Sequence, residues 1–251
     1  MYHLFYGDEY GTPGTEVTFF ELPFAGRTHK GTNSISRAGL YVPSDYALTY
    51  WMDRFKEYDV KHGEPIVFDG RKQVAFEDGE GQRFMLVVDG RRQQEIGTIP
   101  RMNGPVKKEN AIIGLGPVEL TVFSAEETAN FLTNLFGFYK KTTIEDTTVY
   151  TSNSHGDGAE FRVKEDNLSS KERPGRGSVH HIALRVESRE ELEKWALYLT
   201  KQKQNHSGVV DRHYFQSLYV TDANGIVFEL ATDCPGFESM KKKGNLVKDC
   251  L

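Results

Sequence analysis

The feature that most constrains this chain is a phrase that returns along it at intervals of roughly 70 residues: an extended run, a capped helix, then further extended runs. A unit that short closes no adequate core alone, so its copies must pack against one another. In the clearest copy, residues 179–186 (VHHIALRV) read as a strand and Ser188 to Glu191 as a capping box. The helix that follows carries Leu192, Trp195, Ala196 and Leu199 on one face. Two extended runs, 214–221 and 225–231, then flank the turn residues 222–224.

An earlier copy places a strand at 35–42, a cap at Ser44 and a buried helical face at Leu48, Trp51, Met52 and Phe55. Its paired strands are 73–77 and 82–88, around the turn 78–81. Another copy opens at 116–122, repeats the capping box from Ser124 to Glu127 and buries Phe131, Leu132, Leu135 and Phe136. It closes with strands near Val149 and Phe161. The polar segments 97–110 and 165–176 read as linkers. Residues 2–7 and 15–22, flanking 8–14, give only the last two strands of a copy, so the chain is expected to open in mid-module.

The expected organisation is α+β, built from repeated βαβββ modules in two domains of mixed, curved sheet. The N-terminal domain spans 1–98, with a partial first module at 1–33 and a second at 34–98. The C-terminal domain spans 111–235, with a third module at 111–164 and a fourth at 177–235, before a tail at 236–251.

Composition narrows the function classes. A formal net charge of −5 supplies no electrostatic footprint for nucleic acid, and the run Lys241 to Lys243 reads as a solvated surface. Two cysteines, Cys234 and Cys250, are too few for a disulfide framework, so free thiols in a reducing compartment are expected. With neither a membrane-length apolar run nor a signal-peptide layout, the expectation is a cytoplasmic protein with no membrane partner.

Superposing the copies on their opening and last strands puts His181 and Glu229 at two recurring points, 48 positions apart. The second copy has Arg37 and Met85 there, also 48 apart, and the third has Pro117 and Arg162. Only the fourth copy carries ligand chemistry. An imidazole nitrogen and a carboxylate oxygen aimed from two strands into one face are two parts of a His-His-carboxylate site for ferrous iron. A single strand histidine is more often an ordinary core or surface residue, and residues 228–230 read equally as a plain edge strand.

Three phrases carry a family resemblance: residues 2–15 (YHLFYGDEYGTPGT), 177–183 (GSVHHIA) and 225–229 (GIVFE). They resemble the ring-cleaving dioxygenases that act on hydroquinones, within the vicinal oxygen chelate superfamily, which has the glyoxalase, bleomycin-resistance and extradiol dioxygenase fold. The resemblance covers essentially the whole chain.

It implies an Fe(II)-dependent ring-cleaving dioxygenase, with Mn(II) the alternative metal. The substrates would be a hydroquinone- or catechol-type aromatic diol and dioxygen, in a role such as quinone detoxification. His181 and Glu229 fall on the family's metal-ligand positions, and His180, Tyr219 and Arg212 on positions near the substrate hydroxyls and oxygen. An outward-facing neighbour for His180, a core tyrosine for Tyr219 and a surface charge for Arg212 are the competing assignments. His3, His29, His62, His155, His206 and His213 read as ordinary histidines.

The family's remaining histidine ligand belongs to a strand expected upstream of Met1. The chain as isolated is therefore expected to be short of one ligand and metal-free, with an exposed sheet that favours a homo-oligomer. A glyoxalase-like metal-dependent lyase and an inactive, aromatic-binding module are the alternative functions.

Overall fold

The computed structural model describes residues 3–101, 104–155, 158–212 and 215–233. The expectations attached to Tyr2, His213, Tyr214, Cys234, Cys250, the Lys241 to Lys243 run and the 236–251 tail lie outside the described residues. The chain divides into two compact units, residues 1–180 and 181–251.

In the first unit, β1 (His3–Tyr6) and β2 (Val17–Phe20) form an antiparallel pair. Asp8 organises the loop between them. Its carboxylate accepts the N–H groups of Tyr10, Thr12 and Ile99 at 3.1, 2.8 and 2.9 Å, and the Thr12 hydroxyl at 2.7 Å.

An eight-stranded sheet follows. The second module supplies β3 (Ser34–Val42), β4 (Ile66–Phe68), β5 (Arg71–Glu77) and β6 (Arg83–Val88), and the third supplies β7 (Gly114–Val122), β8 (Tyr139–Ile144), β9 (Thr147–Thr151) and β10 (Glu160–Glu165). Their order is β4-β5-β6-β3-β7-β10-β9-β8, so each module contributes half and the two opening strands meet antiparallel in the middle.

The helices form where the caps were expected. The Ser44 hydroxyl accepts the Ala47 N–H at 3.2 Å to start α1 (Asp45–Glu57). A short helix, α2 (Arg92–Ile96), lies within the segment expected as the end of the second module. Ser124 accepts the Glu127 N–H at 3.4 Å to start α3 (Ala125–Asn130), which widens into a π turn over Phe131–Leu135 before Gly137, at φ 71°. The wide turn buries Phe131, Leu132 and Leu135 together, whereas Phe136 is only partly covered.

Strand alternation sorts the sheet into two faces. Leu40, Val42, Val74, Phe84 and Leu86 pack with Ala47, Leu48 and Phe55 of α1 into one core cluster, with Trp51 and Met52 at its margin. The opposite face carries Tyr41, Met85 and Val87 together with a charged network. At its centre the Arg162 guanidinium is 0% exposed. It donates to Glu160 at 2.8 Å and Gln73 at 2.7 Å, and lies 4.4 Å over the Phe68 ring. Arg71 reaches the other Glu160 oxygen at 2.5 Å.

One correction to the sequence reading arises here. Segment 165–176 is pinned to the sheet margin, since His29 and Arg173 exchange both backbone hydrogen bonds at 3.0 Å and buried Glu172 pairs with Arg83 at 3.2 Å. At the central seam, Pro117 has no N–H to give β3. There Gly116 and Pro117 oppose the single residue Gly39, a bulge whose approach is so close that a Cβ on Gly39 would lie 2.4 Å from the Pro117 oxygen.

The second unit is a four-stranded sheet of order β11-β14-β13-β12, made of β11 (Ile182–Val186), β12 (Val210–Asp211), β13 (Gln216–Thr221) and β14 (Val227–Thr232). Helix α4 (Arg189–Lys201) packs against β13 and β14, burying Leu192 and Leu199 beside the Leu218, Val220, Phe228 and Leu230 face. The Glu191 carboxylate accepts the N–H of Glu187, one residue before the cap, rather than that of Ser188. Among the described residues, no helix is long and apolar enough to cross a membrane.

Three substitutions, read by urea unfolding, test the buried network and the seam. Arg162→Ala should cost about 3–5 kcal/mol, because it leaves buried Glu160 short of a partner, whereas Lys56→Ala on the exposed face of α1 should change stability by less than about 0.5 kcal/mol. Gly39→Ala should cost about 1–3 kcal/mol from overpacking at the seam. A Gly39→Ala midpoint equal to that of the parent would show that the seam has room.

Candidate metal centre

The second sheet places the candidate residues by register. Glu229 of the interior strand β14 stands opposite Tyr219 on β13 and opposite Ala183 on β11. Side chains alternate along a strand, so residues two apart share a face. His181, two before Ala183, and Ser217, two before Tyr219, therefore join Glu229 and Tyr219 on the face away from α4. The same parity applies in the first sheet, where Met85 stands opposite Gly39 two residues beyond Arg37, and Arg162 stands opposite Glu119 two residues beyond Pro117. The recurring points proposed from the sequence are thus matching positions in the three parallel strand pairs.

Glu229 is the hub. It is 3% exposed, yet each oxygen has partners. Oε2 lies 2.9 Å from His181 Nε2. Oε1 accepts the Tyr219 hydroxyl at 2.5 Å and also the Ser217 hydroxyl. Burial alone would raise the Glu229 carboxyl, but the hydrogen bonds from His181, Ser217 and Tyr219 together outweigh it and hold the group below the usual carboxylate range. Burial pushes the Tyr219 phenol up, and the hydrogen bond to the Glu229 carboxylate adds to the rise. Arg212 completes the chain, donating from Nε to the Tyr219 oxygen at 3.2 Å with its guanidinium carbon 5.0 Å from the ring centroid. The His181 and Tyr219 rings meet edge to face, 5.7 Å apart.

Four of the five residues singled out from the sequence, His181, Glu229, Tyr219 and Arg212, therefore form one connected cluster. His180, the last residue of the first unit, is exposed, with its ring centroid 6.5 Å from that of Phe20. Ser217 was missed. The signal was present in the alternation of residues 217, 219 and 221, but a strand serine carries no distinctive chemistry until its neighbour across the sheet is known.

The donor set suits a divalent ion. An imidazole nitrogen and a carboxylate oxygen converge, and the second carboxylate oxygen is held by hydroxyl donors, as ligating carboxylates usually are. Among the described residues, no group of three or more His, Cys, Asp or Glu side chains is placed to hold a metal ion, so His181 and Glu229 stand as a pair.

A model of the Glyoxalase/Bleomycin resistance protein/Dioxygenase superfamily matches residues 114–230. A Bacillus subtilis protein named as a ring-cleaving dioxygenase, MhqA, is 45% identical over 242 residues, covering 94% of this chain and 76% of that protein. A Sphingobium indicum protein named chlorohydroquinone/hydroquinone 1,2-dioxygenase is 30% identical, covering 99% and 78%. A crystal structure of a Bacillus subtilis protein described as a dioxygenase superposes with a TM-score of 0.83 at 29% identity, covering 94% of this chain and 73% of the other.

The raised phenol gives a pH prediction. Tyr219 contributes stability that is fully present below the unfolded tyrosine value and is lost as the pH rises through its higher folded value. The urea midpoint of the parent should therefore fall more steeply than that of Tyr219→Phe as the pH rises above about 10, the ordinary tyrosine value. Parallel profiles would mean that the phenol is not held by Glu229.

Proposed function

Because the chain belongs to the glyoxalase, bleomycin resistance protein and dioxygenase superfamily, alongside relatives named ring-cleaving dioxygenases, we propose that it takes part in oxygen-dependent cleavage of a hydroquinone- or catechol-type ring at a ferrous centre. The observation that carries this reading is the 2.9 Å approach of His181 Nε2 and Glu229 Oε2 on the helix-free face of the second sheet. Dioxygenases of this superfamily are generally metal-dependent. Fe(II) is the metal proposed here, with Mn(II) as the alternative, because a histidine and carboxylate set leaves several positions open to small oxygen ligands.

His181 and Glu229 would hold the ion. Bound there, it would supply Lewis acidity and one-electron chemistry to the diol and dioxygen. The protein's own contribution is to orient and to handle charge. The Arg212 guanidinium donates to the Tyr219 oxygen, and the Tyr219 hydroxyl donates a hydrogen bond to Glu229. The three groups polarise one another along a single line, which steadies the carboxylate and places positive charge beside a developing phenolate.

Tyr219 is a phenol at neutral pH, as tyrosines ordinarily are, and burial with the hydrogen bond to Glu229 pushes it further toward the protonated form, so it serves as a donor and not as a base. His180 is assigned the proton from the substrate hydroxyl, on the resemblance of residues 177–183 and on the ease with which imidazoles exchange protons near neutrality.

Anaerobic loading with Fe(II), then oxygen uptake with hydroquinone, chlorohydroquinone and catechol, tests the proposal. Uptake should depend on added iron, and Glu229→Ala should lower it at least about 100-fold, the upper end of what losing support around a metal costs. Saturable binding of the aromatic with no uptake at any iron concentration would replace this reading with that of a binding module.

A further inference from the structure

We propose that Ser217 is a positioning residue for the metal-holding carboxylate: with Tyr219 it occupies Glu229 Oε1 and leaves Oε2 alone turned toward His181. This rests on the metal reading above and deepens it. Ser217 is 0% exposed and lies on the interior strand β13, opposite Ala231 and two residues before Tyr219. Its hydroxyl donates to Oε1, the oxygen that also accepts the Tyr219 phenol at 2.5 Å.

A carboxylate oxygen offers about two lone-pair sites, so two hydroxyl donors fill it. Oε2 is the oxygen left within reach of His181, at 2.9 Å. A carboxylate with both oxygens available is able to chelate a divalent ion through the pair. Here that rotation would break two hydrogen bonds to a buried charge. The serine therefore fixes which oxygen faces the metal and keeps the other from taking a position that a small oxygen ligand needs.

The first sheet carries an internal parallel. Gln73 stands opposite Val87 on β5, two residues beyond the Met85 position that matches Glu229, as Ser217 stands opposite Ala231. Gln73 Oε1 accepts Arg162 Nη1 at 2.7 Å, and Arg162 is itself the last-strand residue of the third module. In both sheets this strand position bears a polar side chain that holds a charged last-strand group, although one group is an anion and the other a cation.

The test is a Co(II) titration of the purified protein under argon, read by its visible spectrum and by competition with a chromophoric chelator. Ser217→Ala, Ser217→Thr and His181→Ala are compared with the parent, and the thermal midpoint of each metal-free protein is recorded. His181→Ala should abolish binding at this site. Ser217→Ala should weaken Co(II) binding by about tenfold or more and alter the spectrum, while the metal-free protein stays folded with a midpoint lowered by the hydrogen bond lost to a buried carboxylate. Ser217→Thr, which keeps the hydroxyl, should restore both.

An unchanged affinity and spectrum in Ser217→Ala, with binding lost in His181→Ala, would overturn the role of Ser217 and leave the metal reading standing. Equal weakening by Ala and Thr would also overturn it, by tracing the effect to packing. Equal Co(II) binding by the parent and His181→Ala would remove the metal reading itself, and this role with it.

Discussion

The period-two alternation of side chains along a strand is the constraint on which both sheets depend. One face of each must be apolar to seat a helix, and this is met by Leu40, Val42, Phe84 and Leu86 in the first unit and by Leu218, Val220, Phe228 and Leu230 in the second. The other face is free to take polar groups, which in the first sheet stand beside Tyr41, Met85 and Val87. A one-residue slip of β14 would exchange Glu229 for Phe228, undoing the core and the candidate centre together. Register is thus held by hydrophobic burial, and the position of the carboxylate follows from it.

The polar faces solve one problem in two ways. A charge buried in a sheet needs partners that compensate its lost hydration. The Arg162 guanidinium is surrounded by Glu160, Gln73 and an aromatic ring. Glu229 is instead surrounded by donors, one of which, His181, is also a competent ligand. Exchange of a proton for a metal ion between Oε2 and Nε2 is therefore chemically open in the second sheet. In the first, the guanidinium already supplies the cation.

Much of this was legible in the sequence because it depends on local grammar. Ser44, Ser124 and Ser188 cap helices by contacts with residues three positions on, and the paired spacing of 48 between opening and last strands reports a register that survives folding. What was not legible depends on distant partners. The strand expected from 179 begins at Ile182, the segment 165–176 is held by residues near 29, and Ser217 acquires meaning only across the sheet from Glu229. The third helix likewise widens into a π turn where Phe131, Leu132 and Leu135 are buried, a change that their spacing along the chain does not announce.

The seam between β3 and β7 has a consequence for how this chain tolerates change. At the bulge, where Gly39 faces Gly116 and Pro117, the two strands approach backbone to backbone, and neither glycine has a side chain to trim in compensation. The outermost strands β4 and β8 have a free edge and solvent beside them. Sequence drift, insertions and length variation should thus be graded across this sheet, permissive at its rims and forbidding along its midline, so that the two modules diverge from the outside inward while their joint stays fixed.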